Sequence, residues 1–197
     1  MLLKYVPEEA IPLMAEWLKR YQLHLTISKS RQSKLGDFRP PFKNRGARIS
    51  VNGDLNPYHF LITFTHEVAH AAVWEKHANK VLPHGEEWKQ TYSRKLKLMA
   101  AEVAFPTEVQ NAINEHLSRP KASSCADPSL YKVLKKYDKN SDSIIYLEDI
   151  AEGQLFSINE KRRFKKGKKR RSRYECIDID NKRMYYVSAH AEVKPME

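Results

Sequence analysis

The chain has 197 residues, of which 41% are hydrophobic, and it carries a net charge of +11 with a pI near 9.6. This length and composition fit one folded core, or one domain with a small appendage, and they exclude a disordered chain. The two cysteines, Cys125 and Cys176, are too few for a disulfide framework or a four-cysteine zinc site.

So basic a chain indicates a polyanionic partner, nucleic acid ahead of an anionic membrane surface, against the alternative of a merely solvated basic surface. Met1-Leu2-Leu3 is followed by Lys4 and two glutamates, which is unlike a signal peptide. No apolar run approaches the roughly 20 residues of a membrane helix. We therefore expect a cytoplasmic, reduced protein with no membrane contact.

The first part of the chain alternates helical and strand patterns. Apolar residues at helical spacing predict a helix over 7–21, and alternation predicts strands over 22–31 and 46–52. Gly36 and Pro40-Pro41 indicate a loop between those strands.

The pattern in the middle of the chain predicts helices. Asn56 is expected to cap a long, mostly apolar and therefore buried helix that begins at Pro57. A second helix is predicted over 86–103, and a third from Pro106 to just before Pro120.

The last third shows short β-type runs separated by turn signals, which predict a small antiparallel barrel or sheet. We accordingly expect a domain over 1–120, a linker over 121–129 and a basic β-rich domain over 130–197. The β-type runs are 144–147, 155–158, 174–177 and 184–187.

The long helix contains the pattern H-E-x-x-H, formed by His66, Glu67 and His70. On a helix, two histidines four residues apart share a face about 6 Å apart along the axis, so both can bind one zinc ion. The adjacent glutamate can then act as general base. The alternative is a pair of hydrogen-bonded core histidines beside a solvent-facing glutamate.

Catalytic zinc needs a third protein ligand and an open position. His84 is favoured, because Pro83 and Gly85 allow the backbone to fold back at this point. Glu86 and Glu87 are the carboxylate alternatives. His77 shares the stripe, but a continuous helix carries it about 10 Å further along the axis.

The segments Leu55-Asn56-Pro57, Phe60-Leu61, His66 to His70 and His84-Gly85-Glu86-Glu87-Trp88-Lys89 resemble the SprT-like metalloprotease family. That family includes the Spartan proteases, which digest proteins crosslinked to DNA. The resemblance covers roughly residues 5–120. It implies zinc ligands His66, His70 and His84, with Glu67 as general base.

The resemblance implies an α+β fold, in which a zincin-like helical metalloprotease domain carries a small N-terminal antiparallel sheet. We expect the small antiparallel β domain to follow it. Many bacterial members end in a four-cysteine zinc ribbon, which this chain lacks. The expected activity is zinc-dependent cleavage of DNA-bound or crosslinked protein. Tyr92 and His77 are candidate oxyanion helpers, with packing or a surface position as the alternative for each.

Residues 161–173 hold ten basic side chains and no acidic one, which predicts sequence-independent binding to a phosphate backbone, DNA or RNA. Gly167 suggests a hairpin tip. Four aromatic residues, Phe164, Tyr174, Tyr185 and Tyr186, either stack on unpaired bases or fill the core. The candidate contacts are Lys161, Arg162, Arg163, Lys165, Lys166, Lys168, Lys169, Arg170, Arg171 and Arg173.

Two other functions are also compatible with the sequence. One is a nucleic-acid-binding protein whose metal site is structural or inactive, closed by a fourth ligand such as His77, Glu75 or the Glu86/Glu87 pair. The other is a zinc hydrolase that acts on a non-protein substrate.

Overall fold

The computed structural model describes residues 2–31, 33–118, 127–139, 145–159 and 161–196. These residues form two compact units, Met1–Lys139 and Asn140–Glu197. Within the described ranges the protein has five α-helices, a three-stranded sheet and a six-stranded sheet, which confirms the expected mixed α+β class.

The first unit combines helices with the smaller sheet. Its elements are α1 (Ala10–Arg20), β1 (His24–Ser28), β2 (Gly36–Arg39), β3 (Arg48–Asn52), α2 (Pro57–His77), α3 (Glu86–Glu102), α4 (Thr107–Ser118) and α5 (Pro128–Lys135). None of the helices in the described ranges has the length and apolarity needed to cross a membrane.

The smaller sheet is mixed, with strand order β1-β3-β2. β2 pairs with β3 in antiparallel fashion, but β1 pairs with β3 in parallel. The expectation of a wholly antiparallel sheet was therefore wrong, because the chain between β1 and β3 is long enough to cross over and return in the same direction. The predicted loop at Gly36 was also wrong, since Gly36 begins the edge strand β2.

α2 is the centre of the first unit, and its burial on nearly every face was correctly expected. Phe60, Phe64 and Val68 are fully buried. The Trp17 ring stacks on Phe64, with 6.3 Å between the ring centroids. The polar groups that α2 carries are therefore held in an apolar interior.

The start of α2 is fixed by Asn56, as the sequence predicted. Its side-chain oxygen accepts a hydrogen bond from the His59 backbone N–H at 3.0 Å, and Pro57 follows at the first helical position. The same side chain donates to the Leu134 carbonyl at 2.8 Å and to the Asp138 carboxylate at 2.7 Å. One residue thus caps α2 and anchors the end of α5.

The division between the two units falls after Lys139, later than the expected start of the β-rich domain at residue 130. The physical reason is α5, which buries Leu130 and Leu134 in the core of the first unit. Of the expected linker, residues 121–126 lie outside the described residues.

The second unit is an antiparallel sheet with strand order β4-β9-β5-β6-β7-β8. Its small core includes Phe156 and Phe164, whose rings stack at 5.5 Å. The strands are β4 (Ile145–Tyr146), β5 (Leu155–Ile158), β6 (Arg162–Arg170), β7 (Arg173–Asp178), β8 (Met184–Ser188) and β9 (Glu192–Met196). Residue 144 of the first predicted run lies outside the described residues.

The basic segment forms the hairpin β6–β7, but Gly167 is not its tip. Arg170 pairs with Arg173, so the turn lies at Arg171 and Ser172. Gly167 lies inside β6 at a register shift, where an added Cβ would come within 2.7 Å of the Glu175 carbonyl oxygen. Glycine is needed here because the bulge brings two backbones close together.

Replacing Asn56 by alanine removes the α2 cap and two further hydrogen bonds. We expect Asn56→Ala to lower the free energy of unfolding by about 2–3 kcal/mol, measured by urea denaturation. Asn114→Ala, at an exposed position of α4, is the matched control and should be nearly neutral. Equal stability of the two variants would contradict the role assigned to Asn56.

Candidate functional site

Three histidines converge at one point in the first unit. The Nε2 atom of His70 lies 3.0 Å from Nε2 of His66 and 3.0 Å from Nε2 of His84, and the remaining pair is 3.2 Å apart. His66 and His70 come from successive turns of α2, as their spacing predicted. His84 comes from the turn before α3.

These three contacts cannot all be hydrogen bonds. A ring nitrogen either carries a proton or offers a lone pair, so at least one of three mutual contacts joins two like groups. Tetrahedral ligands of zinc lie about 3.3 Å apart, given Zn–N bonds of about 2.0–2.1 Å. The cluster therefore has the donor type and spacing to hold a metal ion.

The electrostatics of the cluster keep the imidazoles neutral, which metal ligation requires. Burial and the neighbouring His70 and His84 hold the pKa of His66 well below its ordinary value. Burial, with His84 close by, lowers the pKa of His70 to about 4. Burial also lowers the pKa of His84.

His84 reaches the cluster through an unusual backbone conformation. Its φ of 60° lies in the left-handed region, which few residues other than glycine adopt and where histidine is enriched. The Gly85 N–H donates to the Leu82 carbonyl at 2.9 Å and closes the turn. The turn then leads directly into α3 at Glu86.

Glu67 lies beside the cluster but is not one of its ligands. Only 5% of the residue is exposed. Burial raises the pKa of Glu67 to about 8, and Asp37 adds to this, while Arg31, Lys34 and the Phe38 backbone N–H favour the charged form. A divalent cation in the histidine cluster would also favour the carboxylate.

The edge strand β2 provides the space for Glu67. A Cβ at Gly36 would lie 2.8 Å from Cγ of Glu67, so no larger residue fits without moving the carboxylate. Phe38, two residues further along β2, donates its backbone N–H to the same carboxylate. The sequence pattern indicated a loop at Gly36 and therefore predicted neither role. The feature of the sequence that could have indicated them is a glycine within a short extended run.

An aromatic wall supports the histidines. The buried Trp88 ring lies 4.6 Å from His66, 5.2 Å from His70 and 4.6 Å from His84, between ring centroids. The Tyr92 ring stacks on Trp88 at 4.8 Å and lies 5.7 Å from His66, between ring centroids. Tyr92 is fully buried and burial raises its pKa, so its position favours packing over the oxyanion role considered from the sequence.

The alternative ligands lie elsewhere. Within the described ranges, no fourth histidine, cysteine, aspartate or glutamate joins the cluster. Glu75 instead pairs with Arg20 at 2.7 Å, and Glu86 accepts a hydrogen bond from Gln90 at 3.1 Å. His77, at the end of α2, and Glu87 are likewise outside the cluster. A metal held by these three imidazoles would keep an open position.

The second unit divides the ten basic candidates into two groups. Four are engaged: Lys166 is buried and donates to the Ile150 carbonyl at 2.6 Å, and Arg162, Arg163 and Arg170 pair with Asp178, Asp180 and Glu175. The other six are exposed, and among the described residues no carboxylate pairs with them. These are Lys161, Lys165, Lys168, Lys169, Arg171 and Arg173.

The aromatic candidates divide in the same way. Phe164 belongs to the core, and Tyr174 lies under the Lys166 ammonium at 4.0 Å from its ring centroid. The Arg162 guanidinium covers Tyr185 at 4.4 Å. Tyr186, at 55% exposure, is the most accessible of the four.

Comparison with known proteins adds no assignment. No protein-family model matches the chain, and searches of curated proteins and of solved structures return no match.

His84→Ala should weaken metal binding by more than the roughly 10–100-fold lost with an outer-shell partner, because it removes a ligand itself. Calorimetric titration of the metal-free protein with Zn²⁺ measures this. His77→Ala, on the same helix stripe but outside the cluster, is the control and should bind as the wild type does. Comparable losses in both variants would argue against the three-histidine site.

Proposed function

We propose that this chain is a zinc-dependent metallopeptidase of the SprT-like type that acts on DNA-bound or DNA-crosslinked protein. The proposal rests above all on one observation, the convergence of His66, His70 and His84 beside the buried Glu67. The zincin-like fold is part of the proposal, supported by a buried H-E-x-x-H helix that packs against a small sheet.

His66, His70 and His84 are the residues that would hold the metal. Three neutral imidazoles with a neighbouring glutamate suit zinc among the divalent ions. When bound, zinc supplies Lewis acidity, which lowers the pKa of water and polarises a carbonyl group. The Trp88 ring packs against all three imidazoles and so supports their orientation.

Glu67 is the general base in this proposal. Its carboxylate accepts a proton from the attacking water and passes it to the leaving amine. The Phe38 N–H and the close approach of Gly36 hold the carboxylate in one place. Burial raises the pKa of Glu67 to about 8, and a cation held by the three histidines would lower it toward the range in which a carboxylate both accepts and releases a proton.

The outer edge of β2 has no partner strand among the described residues, and although the Phe38 N–H bonds to Glu67, its other outward backbone groups suit an extended peptide. The Asn52 N–H donates to the Leu35 carbonyl, so alternation along an antiparallel pair turns the backbone groups of Gly36 and Phe38 outward. A substrate strand added at this edge would lie beside Glu67. This arrangement favours a peptide over a small ester or amide as substrate.

The exposed basic side chains of the β6–β7 hairpin support the DNA part of the proposal. Like charges this dense repel one another unless phosphate groups neutralise them. Lysine and arginine contacts to phosphate groups do not read base edges, so binding should be independent of sequence. Tyr186 offers one accessible ring on which an unpaired base can stack.

The main alternative is a nucleic-acid-binding protein with a structural metal. A structural zinc site is closed by four protein ligands, whereas the described residues supply three. Casein cleavage by the zinc-loaded protein, with and without single-stranded DNA, separates the two functions. Cleavage that a chelator abolishes and Zn²⁺ restores would support the peptidase.

Glu67→Gln should retain zinc binding and lose at least about 100-fold in the rate of casein cleavage, because the general base is removed while the ligands remain. Zinc content and cleavage rate are measured on the same preparation. Glu115→Gln, at an exposed position of α4, is the matched control. Full activity in Glu67→Gln would refute the mechanism.

Replacing Lys165, Lys168 and Lys169 together by glutamine should weaken DNA binding and reduce the salt dependence by about 0.7 per lost contact on single strands. Gel shifts over a range of salt concentrations measure both quantities. The control replaces the exposed Lys19, Lys76 and Lys97 of the first unit, which changes the net charge equally. Equal weakening in both triple variants would show that only overall charge matters.

A further inference from the structure

A cavity of about 460 Å³ lies in the first unit, outside the histidine cluster. Aromatic and small apolar side chains form most of its lining: Tyr21, Phe38, Pro41, Ala47, Ala71 and Trp74. Arg20 and Glu75 also line it and pair with each other at 2.7 Å. Its volume falls in the range of about 300–1,000 Å³ that is typical of ligand sites.

The cavity adjoins the carboxylate of Glu67 through two residues. Phe38 donates its backbone N–H to Glu67 and also lines the cavity. Ala71 lies one helical turn after Glu67, about 6 Å along the axis on the same face of α2, and it is buried in the cavity lining. The outer edge of β2 connects the Glu67 carboxylate with the cavity, because Gly36 lies against Glu67 and Phe38 lines the cavity.

The chemistry of the lining selects an apolar occupant. Three aromatic side chains, Tyr21, Phe38 and Trp74, offer broad surfaces, and Ala47 and Ala71 leave space between them. The charges of Arg20 and Glu75 compensate each other, so neither is left to attract a charged group. The Tyr21 hydroxyl accepts a hydrogen bond from Lys95 at 3.0 Å, and Gln22 is the remaining polar side chain of the lining.

The geometry points to a specificity pocket for the proposed peptidase: the cavity receives a large apolar side chain, such as leucine or phenylalanine, of a substrate strand added to β2. This inference rests on the proposed function for the identity of the substrate. The occupant is a peptide because Phe38, whose backbone faces the outer edge of β2, lines the pocket, and because Ala71 places the pocket one helical turn from Glu67.

Two substitutions fill the pocket from different sides. Ala47→Leu acts on the wall before β3, and Ala71→Leu acts on the surface of α2. Ala72→Leu makes the same change on the same turn of α2, but Ala72 does not line the cavity. Because Ala71 is buried and its enlargement can disturb folding, the half-buried Ala47 provides the independent variant.

The first measurement is cleavage of fluorogenic peptides that differ at one residue, leucine, phenylalanine, alanine or aspartate, moved across the positions on either side of the scissile bond. At one position, leucine and phenylalanine should raise kcat/KM at least about tenfold over alanine. Ala47→Leu and Ala71→Leu should abolish this preference, so that each variant cleaves the leucine, phenylalanine and alanine peptides with similar kcat/KM. Ala72→Leu should keep it.

The second measurement is independent of turnover. Fluorescein-labelled versions of the same peptides are bound to the zinc-loaded Glu67→Gln protein and followed by anisotropy, with and without Ala47→Leu. The leucine and phenylalanine peptides should bind about tenfold more tightly than the alanine peptide, and Ala47→Leu should remove the difference.

The two measurements separate the two ideas. Apolar preference in binding with no cleavage of any peptide would refute the peptidase and retain the pocket. Cleavage without any leucine-over-alanine preference, or a preference that survives both Ala47→Leu and Ala71→Leu, would overturn the pocket and leave the peptidase standing.

Discussion

The structure depends on the burial of polar groups within a central helix. α2 places His66, Glu67 and His70 among apolar side chains, where an unpaired charge or polar group is costly. The surrounding elements compensate for that cost: His84 adds a third nitrogen, Trp88 covers the rings, and the Phe38 N–H bonds to the carboxylate. A cation shared by the three imidazoles would complete this compensation, because three mutual contacts between ring nitrogens cannot all be hydrogen bonds.

The same constraint explains features that lie away from the cluster. β2 approaches α2 closely enough only because Gly36 has no side chain. The turn before α3 holds His84 at a positive φ, a strained conformation that persists where the surrounding structure determines it. Asn56 fixes the start of α2 and ties it to α5, so the register of the helix, and with it the direction of its histidines, is set from its first turn.

In the second unit, the basic side chains of one segment have different environments. A dense run of basic residues does not act as one uniform surface, because the alternation of a strand sends neighbouring side chains to opposite faces. Lys166 enters the interior and is satisfied by backbone carbonyls and the Tyr174 ring, while three arginines are held by acidic neighbours. The remaining cations are exposed, and they supply the charge of the surface that we propose for nucleic-acid binding.

Features that depend on local spacing could be predicted from the sequence. The helical period brought His66 and His70 together, Asn56-Pro57 marked the start of α2, and Pro83 and Gly85 indicated where a third ligand could return. Other features depend on contacts between residues that are distant in the chain, and these could not be predicted. They are the strand β2, the parallel pairing of β1 with β3, the packing of α5 in the first unit and the burial of Lys166. The local pattern predicts which side chains lie on the same face of a helix or strand. Which residues pack against that face depends on segments that only folding brings together.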